Sequence, residues 1–149
     1  MDFEKMKDIR EYFDKTQLDL ADIFNVSRST YAGWENGIDS IPLTKLNDFC
    51  NYFGISLDYI CGLSKTKKID SNNDKVDMIK IGLKLKEIRL KNNDTQDTIA
   101  SAIGIDQSNY SRYEQGQIMI TTYQIIEFAK YYNVSINYIC GKTKNMEIK

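Results

Sequence analysis

The chain has 149 residues, 42% of them hydrophobic, with 20 basic and 21 acidic side chains, three Cys, one Pro and no His, a composition of folded rather than disordered or low-complexity protein. Without an imidazole there is no Ser-His or Cys-His nucleophile pair and no His-ligated metal, and Cys50, Cys61 and Cys140 form no Cys-x-x-Cys pair, so neither a close-paired zinc site nor a disulfide framework is expected. No apolar run reaches the roughly 18–20 residues of a membrane span, and the opening Met1-Asp2-Phe3-Glu4-Lys5 lacks a signal-peptide pattern, which predicts a cytoplasmic chain with no membrane partner; the net charge of −1 argues against indiscriminate nucleic-acid binding while leaving room for a local basic face.

In chain order, Phe3, Met6, Ile9, Tyr12 and Phe13 recur at spacings of three and four and predict one apolar face of an opening helix. Thr16 reads as the N-cap of a second helix, with Asp19 three residues on completing a capping box, and Leu20, Ala21, Ile23 and Phe24 carry that helix to about Asn25. Ser27 caps a third helix, Arg28 to about Glu35, which Gly37 ends. Pro42 fits the first turn of a fourth helix running to about Phe53, and Ser56 caps a short fifth one. No segment alternates as a strand would.

Sliding the chain by 79 positions superposes its two halves without a gap: Ile9-Arg10 meets Ile88-Arg89, Thr16-Gln17 meets Thr95-Gln96, and Tyr31, Glu35 and Gly37 meet Tyr110, Glu114 and Gly116. Across Met6–Gly62 and Leu85–Gly141, 18 of 57 positions are identical. The second half repeats the plan with Thr95, Gly104, Asp106, Gly116 and Ser135 in the matching roles. Domains are therefore expected at residues 1–62 and 76–141, joined by a polar, exposed linker at 63–75 and followed by a tail at 142–149 that should fray. Charge divides unevenly, with six basic and eleven acidic side chains in residues 1–62, seven of each in 77–141, and three against one in the tail.

Two short helices joined by a tight turn, with Ala21 or Ala100 permitting their close approach, form a helix-turn-helix unit. On Thr16-Gln17-x-x-Leu20-Ala21 with Trp34-Glu35-Asn36-Gly37, and Thr95-Gln96-x-x-Ile99-Ala100 with Tyr113-Glu114-Gln115-Gly116, the chain resembles the phage repressor and Cro (Xre-like) family of DNA-binding domains. The resemblance implies an all-α fold of two tandem five-helix lambda-repressor-like domains, with the third helix of each entering the major groove of double-stranded DNA. It also implies that Arg10 pairs with Glu35 and Arg89 with Glu114, and that the last helices, rich in Phe49, Tyr52, Phe53, Phe128, Tyr131 and Tyr132, often mediate dimerisation.

Position by position, the base-reading candidates are Arg28, Ser29 and Thr30 in the first unit and Gln107, Ser108, Asn109 and Arg112 in the second. Arg suits guanine, and Asn or Gln suits adenine. Gln17 and Gln96, at helix N-termini, and Asn36 and Gln115, just past the reading helix, are phosphate candidates. Gly33 stands where a reading helix usually aims a side chain, and the first unit is acidic for a DNA binder. The expected function is sequence-specific repression of the phage or mobile-element type, with no enzyme activity and no cofactor. The alternative is a regulator or antirepressor whose first domain binds a protein; a homodimer or a regulatory partner both stay open.

Overall fold

The computed structural model describes residues 3–149, and among them helix is the one kind of regular secondary structure, with no strand. The first unit comprises α1 (Phe3–Tyr12), α2 (Gln17–Ile23), α3 (Arg28–Glu35), α4 (Leu43–Phe53) and α5 (Leu57–Ile60). The second repeats it as α6 (Met78–Lys91), α7 (Gln96–Ala102), α8 (Gln107–Glu114), α9 (Thr122–Tyr132) and α10 (Ile136–Ile139). The caps fall where the sequence puts them. Thr16 Oγ1 accepts from Asp19 N at 3.0 Å while Thr16 N donates to Asp19 at 2.8 Å, and Ser27, Ser56, Thr95, Asp106 and Ser135 each accept from the third residue of the helix they open. The turn between α2 and α3 bends at Asn25 with φ +56, and its copy between α7 and α8 bends at Gly104 with φ +77, which explains a residue tolerant of left-handed backbone at both places.

Three local expectations need correction. Pro42 is the N-cap of α4, one position before its first turn, and contributes no side-chain hydrogen bond. On α1, Met6 and Ile9 are buried, but Tyr12 and Phe13 are exposed, because the helix ends at Tyr12 and the chain turns through Asp14 with φ +54; Phe3's side chain, Asp2 and Met1 lie outside the described residues. The tail does not fray. Met146 packs on the core and its carbonyl accepts from Ser135 N at 2.9 Å, as Lys67, 79 positions earlier, accepts from Ser56 N at 2.7 Å.

Nor is the linker a free tether. Asn47 Nδ2 donates to Asp74 O at 3.0 Å, Asn51 Nδ2 to Asn73 O at 3.0 Å, and Asn72 joins both Gly141 and Lys142 through their carbonyls. The segment is polar because it is largely exposed, yet its backbone is fastened to both units.

One continuous apolar core runs through the two units. They meet through α5 and its own copy α10, which bury Leu57, Ile60, Ile136 and Ile139 completely. Asp58 crosses this contact, accepting from Ser135 Oγ at 2.5 Å and from Ile136 N at 2.6 Å, while Asn137, the copy of Asp58, accepts from Asp58 N at 3.1 Å. Thr122 Oγ1 adds a bond to Ile41 O at 2.6 Å. Copy facing copy with reciprocal contacts is the arrangement of an isologous dimer interface, here between two halves of one chain. α5 and α10 thus bury their apolar surface against each other within the chain, while Tyr52 of α4 and Tyr131 of α9 stay exposed.

Candidate nucleic-acid interface

The third helix of each unit, α3 or α8, is held from behind by a buried ion pair. In the second unit Arg89 Nε donates to Glu114 at 2.7 Å and Nη2 at 2.9 Å, and Nη1 reaches Asp94 O at 2.9 Å. The first unit repeats this: Arg10 Nε and Nη2 meet Glu35 at 2.9 and 2.7 Å, and Nη1 meets Lys15 O at 2.8 Å. A planar guanidinium can fill both carboxylate oxygens and still hold a carbonyl of the turn that follows its own helix. Burial works against each carboxylate, but the arginine hydrogen bonds, with help from Tyr31 or Tyr110 and Gln17 or Gln96, hold both below the ordinary glutamate range.

Beyond the ion pair the two units diverge. Gln96 Nε2 donates to Glu114 at 3.1 Å, and Gln96 Oε1 accepts from Gln107 Nε2 at 2.6 Å. A relay from Arg89 through Glu114 and Gln96 therefore ends on the first residue of α8 and fixes its side chain. In the first unit Gln17 Nε2 reaches Glu35 at 3.5 Å, the outer limit of a hydrogen bond, and Arg28, in the place of Gln107, does not continue the relay. The placement of Gln17 and Gln96 at helix starts predicts phosphate contact; in the structure their side chains brace α3 and α8, a role that depends on a contact across 18 residues and has no local sequence signal.

Arg28, Ser29 and Thr30 are exposed on α3, and Gln107, Ser108, Asn109 and Arg112 on α8. Ser27 bonds Thr30 Oγ1, while Asp106 accepts from both Ser108 Oγ and Asn109 Nδ2. Asn109 would have to exchange that bond to reach a base edge. Gln115 donates to Ser111 Oγ at 2.8 Å. Arg28, Asn36 and Arg112 make no side-chain hydrogen bond or ion pair among the described residues, so their donors are uncommitted.

The sequence leaves Gly33 unexplained, and the structure accounts for it. Gly33 lies three and four residues beyond Thr30 and Ser29, on the same stripe of α3, and the Asp39 carboxylate rests against it so closely that a Cβ there would collide with Oδ2. Asp39 N and Ile38 N both donate to Gly33 O, at 3.1 and 2.9 Å, which anchors the loop in that position. A carboxylate thus stands beside the outward stripe of α3 at the place that Arg112 holds on α8.

Two predictions follow from this exchange. Arg112→Ala should leave folding intact and relax preference at one base position, a bidentate arginine–guanine contact being worth about 1–3 kcal/mol of discrimination; equal weakening on every sequence would make it a phosphate contact instead. Asp39→Asn should tighten binding to DNA of any sequence by about three- to tenfold, because it removes a like charge facing phosphates. Competition binding on specific and random duplexes reads both, and unchanged affinity for Asp39→Asn would place that carboxylate away from DNA.

A helix-turn-helix family model matches residues 6–60 and again residues 85–139. Among solved structures the chain is similar to the restriction-modification controller protein C.AhdI from Aeromonas hydrophila, at 27% identity over 42% of this chain and 96% of that one, with a TM-score of 0.41. No curated protein matches it. No described helix is long and apolar enough to cross a membrane.

Proposed function

The chain belongs to the helix-turn-helix family, whose model both of its units match, and from that premise we propose that it is a sequence-specific regulator of transcription, a repressor of the phage or mobile-element type, that presents two unequal reading heads to double-stranded DNA. Residues 1–62 and 76–141 act as the heads, 63–75 as the connection and 142–149 as the tail that closes the second unit. The observation that carries this reading is the reciprocal packing of α5 on α10, which gives one chain the two-headed form that a dimer supplies elsewhere.

Arg28, Ser29 and Thr30 read one half-site, and Gln107, Ser108, Asn109 and Arg112 read the other; Gln17, Asn36, Gln96 and Gln115 meet the flanking phosphates. Because the fastened linker does not set the reach, the spacing of the half-sites follows from the packed units. Selection of sites from random DNA with the full chain should return two different half-sites about one helical turn, roughly 34 Å, apart. Recovery of perfect palindromes alone would count against two unequal heads, and recovery of no sequence would count against DNA reading altogether. Repression is tested by a reporter placed downstream of the selected site.

The heads should contribute unequally. With eleven acidic and six basic side chains in residues 1–62, giving −5, against seven of each in residues 77–141, the first head faces the larger repulsion from phosphates. In a salt titration of the full chain on the selected site, Gln107→Ala with Asn109→Ala should cost more affinity than Arg28→Ala with Thr30→Ala. Equal losses would show that the acidic side chains of the first unit lie away from the DNA.

A further inference from the structure

Because the units are copies, the surface of one serves as a control for the other. In the first unit a groove of about 530 Å³ opens between α1, the end of α4, α5 and the segment after it. Its floor is Phe53, Ile55 and Tyr59, and its wall is formed by Phe13, 45% exposed, and Tyr12, 80% exposed. The rings run outward from the core: Phe49 lies 4.9 Å from Phe53, Phe53 5.0 Å from Phe13, and Phe13 5.1 Å from Tyr12, between centroids. Two adjacent aromatics left in water at the end of such a run are a contiguous apolar patch, which solvent-facing protein surface usually avoids.

The rim is basic. Lys5 Nζ donates to Tyr59 O at 3.1 Å and stands 4.5 Å from the centre of the Tyr59 ring, and Lys67 Nζ stands 5.9 Å from the same centre. Lys68 lines the groove beside them, and among the described lining residues Asp8 is the one acidic side chain. The Ser56 bonds to Lys67 O and Thr66 O hold this rim in place. A local excess of two positive charges therefore sits on a unit whose own balance is −5.

The second unit keeps the frame and drops these features. Lys84 stands 4.4 Å from the Tyr138 ring, copying Lys5 over Tyr59. Tyr12 and Phe13, however, become Lys91 and Asn92, and Phe53 becomes Tyr132, whose hydroxyl donates to Asp94 at 2.8 Å. Lys67 and Lys68 become Met146 and Glu147, with Met146 packed on the core. If folding required the aromatic wall and the basic rim, both copies would have them.

We propose that this groove docks an acidic, apolar linear segment of a partner protein, with one or two large apolar side chains against Phe13, Phe53 and Tyr59 and carboxylates on Lys67 and Lys68. The charge of the rim selects the acidic residues, and the exposed rings select the apolar ones; a DNA backbone offers nothing to cover the rings. The site is independent of the reading helices and gives the acidic first unit a partner of its own.

The test is panning of a random twelve-residue phage-displayed peptide library on the immobilised full chain, followed by affinity measurements with the synthetic consensus peptide. The expected consensus places Asp or Glu next to Phe, Leu or Trp. Its affinity should fall at least tenfold for Lys67→Glu with Lys68→Glu and, separately, for Tyr12→Ser, an exposed position whose change leaves the core untouched. Binding of a duplex chosen by selection from random DNA should survive both. Absence of an acidic-apolar consensus, or a consensus peptide that binds both variants as well as the parent, overturns the proposal. So does loss of duplex binding without loss of peptide binding in the lysine variant, which would assign those lysines to phosphates.

Discussion

Glu114→Ala should destabilise the chain by about 3–5 kcal/mol, because it leaves the Arg89 guanidinium buried without its carboxylate. Arg89 is only 8% exposed, so water cannot replace the two lost hydrogen bonds, and the relay through Gln96 to Gln107 loses its anchor as well. Replacing both partners, Arg89→Met with Glu114→Leu, should cost much less, since no charge is then stranded. Urea unfolding followed by circular dichroism measures both; a loss below about 1 kcal/mol for the single change would mean that the guanidinium finds water or another acceptor. The pH dependence has a definite sign. Glu35 and Glu114 have folded-state values below the ordinary 4.5, so the stability they add is complete above that value and is lost as pH falls through the depressed folded values.

Asp58→Ala should cost about 2–4 kcal/mol and loosen one head from the other. It strands Ile136 N and leaves the Ser135 hydroxyl hydrogen without an acceptor, both buried, and hydrogen bonds to a charged acceptor are worth roughly 1.5–3 kcal/mol each, less the penalty for burying the charge. Asp58→Asn, which repeats the residue found at position 137, should stay within about 1 kcal/mol of the parent, because an amide oxygen can still accept from Ile136 N and its NH2 can donate to Ser135. Burial pushes the Asp58 carboxyl up, against the pull of the bonds from Ser135, Ile136 and Asn137. The folded-state value therefore lies above the ordinary 3.8, and the stability linked to protonated Asp58 is complete below 3.8 and declines as pH rises through the folded value. Unfolding curves across this range should show Asp58→Asn gaining on the parent with rising pH; parallel curves would refute an elevated folded value.

The helices were legible because their signals are local. A threonine or serine at an N-cap, an asparagine or glycine where the turn needs positive φ, and a repeat of 79 residues can all be read without knowing the fold. The Arg89–Glu114 pair was legible through family resemblance, its members lying 25 residues apart. What joins the units was not. Asp58 and Asn137 look like ordinary exposed polar residues of a short helix, and only when α5 meets α10 do they become a buried bridge. The linker likewise reads only as an exposed connection, since a polar sequence reports solvent exposure and says nothing of backbone carbonyls such as Asp74 O caught by Asn47. Asp39 is silent in the sequence for the same reason: the empty place at Gly33 is visible, but the side chain that fills it arrives from the following loop. Periodicity puts Tyr12 and Phe13 on the buried face because it continues to the residue at which α1 ends and past it, where the chain turns away and leaves both exposed.

The contact between α5 and α10 also bears on how a cell would use such a regulator. Subunits that must first find each other are scarce as active pairs when dilute, so control by a separate dimer rises steeply over a narrow range of concentration. On the two-headed reading proposed above, a chain that carries both halves of the pair has no such step, so occupancy of its site should climb in simple proportion while the protein is scarce. Such a switch answers early and in graded fashion, and its sharpness, where sharpness is needed, has to come from the DNA or from another protein.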